Sequence, residues 1–582
     1  MGKRESAEKR ADEIDRLIIE TLQSGKSFRV EAGAGAGKTF SLMKVIDWLE
    51  SHKKNEFAKV GQHVACITYT NAAVDVIKSR LKSENFIQPC TIHNFAWGLM
   101  KRFQSSLIRD VDELGLLPDK QDGTGKVPIE EITKVSYELG VRYARNGELF
   151  LYHDDVIKLF VSMLDKEKFR SILAKQYPII LIDEYQDSFR SIMNQFLQYF
   201  INPELKPQFG LFGDAWQTIY SSMGACGEVR SDHISVIKKE ANFRSQEVIV
   251  NALNNIRPEL PQMSAIDEND GRIYIITTNN YRGLRHQKGY YKGELPDEDL
   301  YRMIDNVRKK LNELGWAGSQ KCLMLTHKLL AKEQHYDQLL NILGDHLRDA
   351  DDEHFLFFMN KIEPIYKALA DNNPKLLFEA LGIERKPVQS KAHKIMWKQL
   401  KEELAIAREN RIIDVLRVIE KSELVGIPDK VNFWLRTYKS NSEGTLFCNR
   451  PIKEFYEIQY SEVLNAIEFQ KPDAEFSTDH GVKGEEYDNI LFVMGRGWNN
   501  YKFDEVLYRK PEELSGKDYD MYIRNRNLFY VCCSRARKNL AIFITVPVGA
   551  LFRKYLSDVF GEENIIAYKH FMEKPAFNVI KG

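Results

Sequence analysis

Apolar positions along the chain change period several times, and each change predicts an element. Residues 5 to 24 carry apolar residues at helical spacing and predict an amphipathic helix leading into a short apolar strand around Phe28 and Val30. Leu42, Val45, Ile46 and Leu49 predict the next helix, Val64 to Thr68 a strand, and Asn71 to Leu81 another helix. From Trp97 to Gln176 the pattern is mainly helical, with a polar, glycine-containing break at Asp119 to Lys126. Two compact apolar runs follow, Ile179 to Ile182 and Phe209 to Phe212, each ending in acidic residues. Short apolar runs bounded by turn residues are what a parallel sheet buried on both faces produces. A second set of strands is predicted at Arg272 to Thr277, Cys322 to Thr326, Ile490 to Met494 and Leu540 to Thr545, interrupted by a helical region from Gly344 to Glu468. The expectation is an α/β protein with two parallel sheets, each split by a mainly helical insertion. The first comprises 1–96 and 177–247 around an insertion at 97–176; the second comprises 248–343 and 469–582 around one at 344–468. No sequence repeat or low-complexity tract is evident.

Composition narrows the class more than it identifies it. A chain of 582 residues is too long for one core. Its 43% hydrophobic and 11% aromatic content is that of an ordinary globular protein. Lys plus Arg and Asp plus Glu balance at 83 each, so any polyanion site must be a local groove. Seven scattered cysteines show neither a Cys-x-x-Cys pair nor His/Cys metal spacing, which suits a reducing cytoplasm. The longest uncharged stretch, Ala541 to Phe552, is too short to span a membrane and no signal peptide is visible. Met1-Gly2 to Ser6 formally fits a myristoylation pattern, a match short enough to arise by chance. Glu384 to Lys421 is rich in Lys and Arg around Trp397 and an apolar helical stripe. It reads as a solvated helix face, with a duplex-DNA contact as the alternative.

The chemistry is concentrated in loops at strand ends. Glu31-Ala32-Gly33-Ala34-Gly35-Ala36-Gly37-Lys38-Thr39 joins an apolar strand to a helix, the pattern of a phosphate-binding loop, although Ala32 stands where its first glycine usually is. Small residues let successive N–H groups curl around phosphate oxygens, and the helix start adds its positive dipole end. Lys38 is expected to reach the β- and γ-phosphates and Thr39 to hold Mg²⁺. Asp183 and Glu184 close a buried strand, at the edge where open α/β sheets bind ligands. Asp183 would hold Mg²⁺, and Glu184 would orient and deprotonate the attacking water.

The continuation Tyr185-Gln186-Asp187 resembles the second signature motif of superfamily 1 DNA helicases of the UvrD/Rep/PcrA type, and the other motifs occur in that family's order over nearly the whole chain. The resemblance implies two RecA-like P-loop NTPase domains that bind ATP and Mg²⁺ and act on single-stranded and duplex DNA. Ile67 to Ala73 is similar to a DNA-contacting segment, with Tyr69, Thr70 and Asn71 in contact positions. Thr91-Ile92-His93-Asn94-Phe95 is similar to the next, with His93 at the DNA. Gly213 to Tyr220 resembles the third motif, in which Gln217 couples the γ-phosphate to DNA and Tyr220 meets DNA. In Asn242-Phe243-Arg244-Ser245, Phe243 takes the place of the adenine stacker and Arg244 that of a γ-phosphate contact. In Thr478 to Glu486, Glu486 would bind ribose and His480 the DNA backbone. Tyr530 to Ala536 resembles the sixth motif, with Arg535 as arginine finger.

Three departures accompany the resemblance. Ala11 to Gln23 shows no clear equivalent of the upstream glutamine that reads adenine. Ser222 and Met223 stand where the family has a base-stacking aromatic and an arginine. Both insertions look short, and no nuclease module is recognisable after Arg535. In layout and in Ile182 to Ser188 the chain resembles the helicase-like subunit of Gabija-type anti-phage systems, which implies a separate OLD-family nuclease as partner. The expectation is a 3′→5′ ATP-dependent DNA motor. Its rivals are a DNA-end-sensing ATPase that serves a nuclease, a DNA-repair helicase and, from another class, a phosphate-loop kinase.

Overall fold

The computed structural model describes the chain except residues 1, 83–84, 121–124, 139–141, 203, 220–223, 325–330, 333, 349–351, 383–389, 440–444, 447–449, 472–475, 479–483, 497–500 and 577–582. Its short aliphatic runs form two sheets of six strands, parallel throughout. The first contains β1 (Ser27–Ala32), β2 (Val64–Thr68), β3 (Ile87–Thr91), β4 (Ile179–Asp183), β5 (Gln208–Gly213) and β6 (Ile234–Lys239), in the order β3-β2-β4-β5-β1-β6. The second contains β7 (Ile273–Thr277), β8 (Gln320–Met324), β9 (Phe476–Thr478), β10 (Tyr487–Met494), β11 (Ala536–Ile544) and β12 (Ile565–Ala567), in the order β9-β8-β10-β11-β7-β12. Renumbered from its own first strand, the second sheet repeats the order of the first, a duplication of fold without visible repetition of sequence. The α/β class with parallel sheets, expected of P-loop NTPase domains, is therefore what the chain adopts.

Central strands are buried on both faces, which is why they read as continuous apolar runs. On β1, Phe28, Val30 and Ala32 pack beneath the helix α2 (Lys38–His52) through Leu42, Val45, Ile46 and Leu49. The alternate residues Arg29 and Glu31 point to the opposite face and are buried all the same. The first insertion shares the core on that face: Leu159, Phe160 and Phe169 cluster with Ile180, Ile182 and Phe209. It is not wholly helical, because Lys134–Tyr137, Tyr143–Arg145 and Glu148–Leu151 form a small three-stranded sheet. The second insertion builds a core of its own from residues 331 to 466. There Trp397, Leu400 and Leu404, on the helix Lys391–Ala407, pack with Ile412, Leu416 and Ile419, while Ile395, Met396 and Ile406 stay exposed. The apolar stripe is thus core. Within the two large sheets four strands lie outside the expected set: β3, β6, β9 and β12, each at a sheet edge.

Candidate active site

The loop between β1 and α2 runs from Gly33 to Gly37, with Gly35 and Gly37 both at φ +74°, a conformation that L side chains rarely adopt. A Cβ on Gly35 would stand 2.6 Å from the Arg244 Cβ and 2.7 Å from the Asn242 Oδ1, so only glycine fits where residues 242–245 press on the loop. Buried Asn242 fastens this contact: its amide donates to the Ala34 carbonyl at 3.0 Å, and its Oδ1 accepts from the backbone N–H of Arg244 and Ser245, each at 2.9 Å. The Phe243 N–H donates to the Gly35 carbonyl at 2.9 Å. Phe243 itself is exposed at this edge, and Thr39 is exposed in the first turn of α2.

Lys38 opens α2, and its Nζ lies 3.2 and 3.4 Å from the two Glu184 carboxylate oxygens. Burial works against its charge, but Glu184, Asp214 and Asp183 outweigh burial and hold its pKa above the ordinary lysine value. Asp183 is the last residue of β4. Glu184 follows at φ +49°, a left-handed conformation uncommon for a residue with a side chain and one that clusters at functional sites. Gln186, fully buried, bridges the loops: its amide donates to Glu184 and its Oε1 accepts from the Asp214 N–H at 3.1 Å. Gly213 makes room for it, since a Cβ there would lie 2.2 Å from the Gln186 Oε1. The Gln217 amide donates to Asp214 at 2.7 Å.

The guanidiniums come from the second sheet and from the segment that leads into it. Arg535, 1% exposed, sits between α7 (Gly516–Cys533) and β11. Its guanidinium donates to the Val531 carbonyl at 3.1 Å, the Ser534 hydroxyl at 3.0 Å, the Glu485 carbonyl at 3.2 Å and, across the seam, the Gln217 Oε1 at 3.3 Å. Burial, and then neighbouring Arg244, pull its pKa down to about 10, which leaves it charged at neutral pH. Arg244 donates to Glu486 at 2.8 Å and to the Ser534 carbonyl at 3.1 Å. The structure thus brings Lys38, Asp183, Glu184, Gln217, Arg244, Glu486 and Arg535 around one seam.

Two residues that sequence reasoning missed stand behind this group. Arg257, 4% exposed, ends the helix Glu247–Ile256 that packs on the second sheet, and it bridges Asp214 at 2.6 Å and Glu31 at 2.8 Å. Glu31 also accepts from the Tyr185 hydroxyl at 3.0 Å and the Ala215 N–H at 3.1 Å, and lies 3.4 Å from the Arg29 Nε. Burial opposes the Arg257 charge, yet Asp214 and Glu31 hold its pKa above the ordinary value. The signal for Glu31 was the pair of charges alternating within an apolar strand. Arg257 gave none beyond its place before Pro258.

The expected DNA contacts are divided. Tyr69 is 44% exposed beyond β2, and Thr70 caps the following helix at Asn71 by accepting from the Ala73 N–H at 3.2 Å. His93 is not at the surface: it is buried, its ring stacked on His153 at 3.3 Å between centroids, and burial pulls its pKa down to about 3. It lies in the first turn of the helix Ile92–Met100 and packs between His153 of the insertion and Phe189. Tyr220, His480, Ser222 and Met223 lie outside the described residues.

Asp183 and Thr39 carry hard oxygens of the kind that suit Mg²⁺. Among the described residues no group of three or more His, Cys, Asp or Glu is arranged to hold a metal. Among them, too, no helix is long and apolar enough to cross a membrane.

Residues 15–223 match a family model described as an AAA domain. Over 94% of this chain and 96% of the relative, the sequence is 23% identical to Gabija protein GajB of Bacillus cereus (strain HuB5-5). A second GajB, from strain VD045, is 23% identical over 90% of this chain and 94% of its own length. The mitochondrial ATP-dependent DNA helicase HMI1 of Saccharomyces cerevisiae is 26% identical over 44% of this chain and 42% of its own.

Proposed function

We propose that this chain, a UvrD-like helicase relative similar to GajB, couples ATP hydrolysis to movement along single-stranded DNA with 3′→5′ polarity. One observation carries the reading: Arg535 from the second half of the chain meets Gln217 from the first at 3.3 Å, across the seam that also holds Lys38 and Glu184. In this reading the loop backbone from Ala32 to Thr39 cradles the phosphates, with Lys38 on the β- and γ-oxygens. Glu184 orients the attacking water and takes its proton. Arg244 and Arg535 offset charge that develops in the transition state, Phe243 stacks on the base and Glu486 meets the ribose. Mg²⁺, held by Asp183 and the Thr39 hydroxyl, would neutralise phosphate charge. Because the finger and its coupling glutamine come from opposite sheets, hydrolysis is tied to closure of the seam, and DNA lying across both sheets near Tyr69, Thr70 and Asn71 feels each closure.

A second reading has support of its own. Ser222 and Met223 stand in place of a base-stacking aromatic and an arginine, and the similarity to GajB extends over nearly the whole chain, which favours a DNA-end-sensing ATPase that regulates a separate OLD-family-like nuclease in cytoplasmic anti-phage defence. DNA-stimulated ATP hydrolysis by the wild type, lost in Lys38→Ala, tests the ATPase; no stimulation by DNA would end both readings. Strand displacement on 3′-tailed duplexes then separates motor from sensor. Purification with neighbouring gene products tests the partner.

A further inference from the structure

We propose that a second ligand site lies in the seam, away from the phosphate loop: a cavity of about 600 Å³ between β1 and β6 of the first sheet and the N-terminal half of α7, shaped for a small phosphate-bearing ligand of nucleoside monophosphate class. Its volume falls within the range of ligand pockets, which favour interfaces between domains.

The lining is cationic, with seven Arg and Lys side chains against four carboxylates. Three of the carboxylates are already engaged. Glu31 is bound by Arg257 at 2.8 Å, Glu228 by Arg230 at 2.7 Å and Glu259 by Arg257 at 3.4 Å. Among the described residues Arg190, Lys238, Arg524 and Arg526 have no ion-pair partner, and only Asp520 remains to offset them.

Arg526 is the second, independent observation. Its guanidinium carbon lies over the Trp216 ring, 3.6 Å from the centroid, and its hydrogen bonds go to the adjacent Asn527 Oδ1, at 2.8 and 3.2 Å. Burial lowers its pKa, and Tyr522 and Glu259 nearby do not make up the loss, the signature of a charge removed from water without full compensation. A guanidinium fork held rigid by stacking matches phosphate oxygens in bidentate fashion. Tyr519, 41% exposed, is an aromatic on the lining and is the residue that would stack on a base. The occupant would face cations from both sides of the seam, Arg190 and Lys238 on one and Arg524 and Arg526 on the other, and so hold the sheets together beside Trp216 and Gln217.

The test uses the full-length protein with the ATP cleft saturated by Mg²⁺ and a non-hydrolysable ATP analogue. Equilibrium dialysis follows radiolabelled 5′-deoxyadenosine monophosphate and, in parallel, inorganic phosphate. The expected result is one equivalent of the nucleotide, weakened at least tenfold by Arg526→Gln and by Arg524→Glu and unchanged in Lys38→Ala. Arg524→Glu carries the same expectation on its own should Arg526→Gln fail to fold. No binding at millimolar ligand overturns the proposal, as does binding that Lys38→Ala abolishes and the cavity variants leave intact. Equal affinity for inorganic phosphate overturns the nucleotide assignment. Loss of the ATPase reading would show in Lys38→Ala turnover and leave these outcomes readable.

Discussion

Replacing Arg257 by methionine keeps most of the side chain's length and removes its charge. The guanidinium is 4% exposed and pairs with Asp214, 0% exposed, and Glu31, 8% exposed. Removing one member of a buried ion-pair network costs about 3–5 kcal/mol, because the partners stay buried without compensation. Arg29, 3.4 Å from Glu31, offsets part of the loss there, so Asp214 carries most of it. At roughly 2–4 °C per kcal/mol for domains of this size, the first unfolding transition should drop on the order of 10 °C. Turnover should fall as well. Asp214 holds the Gln217 amide at 2.7 Å, and a coupling residue shifted by about 1 Å can cost on the order of 100-fold in rate. Differential scanning calorimetry and steady-state DNA-stimulated ATPase measure the two effects. Arg257→Lys, a point charge able to satisfy one carboxylate at a time, should fall between wild type and Arg257→Met. Asp214→Asn combined with Arg257→Met should recover part of the lost stability, since no buried anion then remains at that end. Wild-type melting and turnover in Arg257→Met would refute the reasoning. A double variant no more stable than the single one would show that packing on Trp216 and Tyr530, rather than charge, is what Arg257 contributes.

Arg535→Ala should lower turnover by about 10³–10⁵ while changing nucleotide affinity far less; equal losses in both would make Arg535 a ground-state or structural contact. Glu184→Gln should bind ATP and fail to hydrolyse it, which single-turnover kinetics would reveal. Buried His93 and His354 both have pKa values pulled down to about 3, so the unfolded chain takes up protons below pH 6.5 that the folded chain refuses. Stability is therefore full above pH 6.5 and is lost as pH falls toward 3, by about 1.4 kcal/mol per pH unit for each histidine. His354→Phe should flatten a melting profile taken between pH 7 and 5, and an unchanged slope would remove His354 from the account. Ser222→Trp should tighten single-stranded DNA binding at fixed salt, and an unchanged dissociation constant would mean that DNA runs elsewhere.

The central strands and the phosphate loop were legible in the sequence because burial on both faces writes itself as uninterrupted apolar runs, and because a backbone that must curl around phosphate admits only small residues. The order of the motifs carried Lys38, Asp183, Glu184, Gln217, Arg244 and Arg535 to one seam before any contact was known. The edge strands were illegible for the opposite reason. β6 alternates Ile, Ser, Val and Lys on a half-exposed surface, β3 carries Pro89, and β9 and β12 are three residues long, so nothing in their pattern outweighs a loop. Local pattern also says nothing of pairings between distant residues. The bridge from Arg257 to Glu31 spans 226 positions and that to Asp214 spans 43, and neither arginine nor carboxylate differs in composition from a surface residue. The burial of His93 is of the same kind: its motif places it at a strand end, and only the packing of the insertion, through His153, decides that it faces inward. The sequence determined which residues could do chemistry. Which charges could be taken out of water was decided by the tertiary structure alone, since a buried charge is tolerated only where folding brings its partner within hydrogen-bond distance.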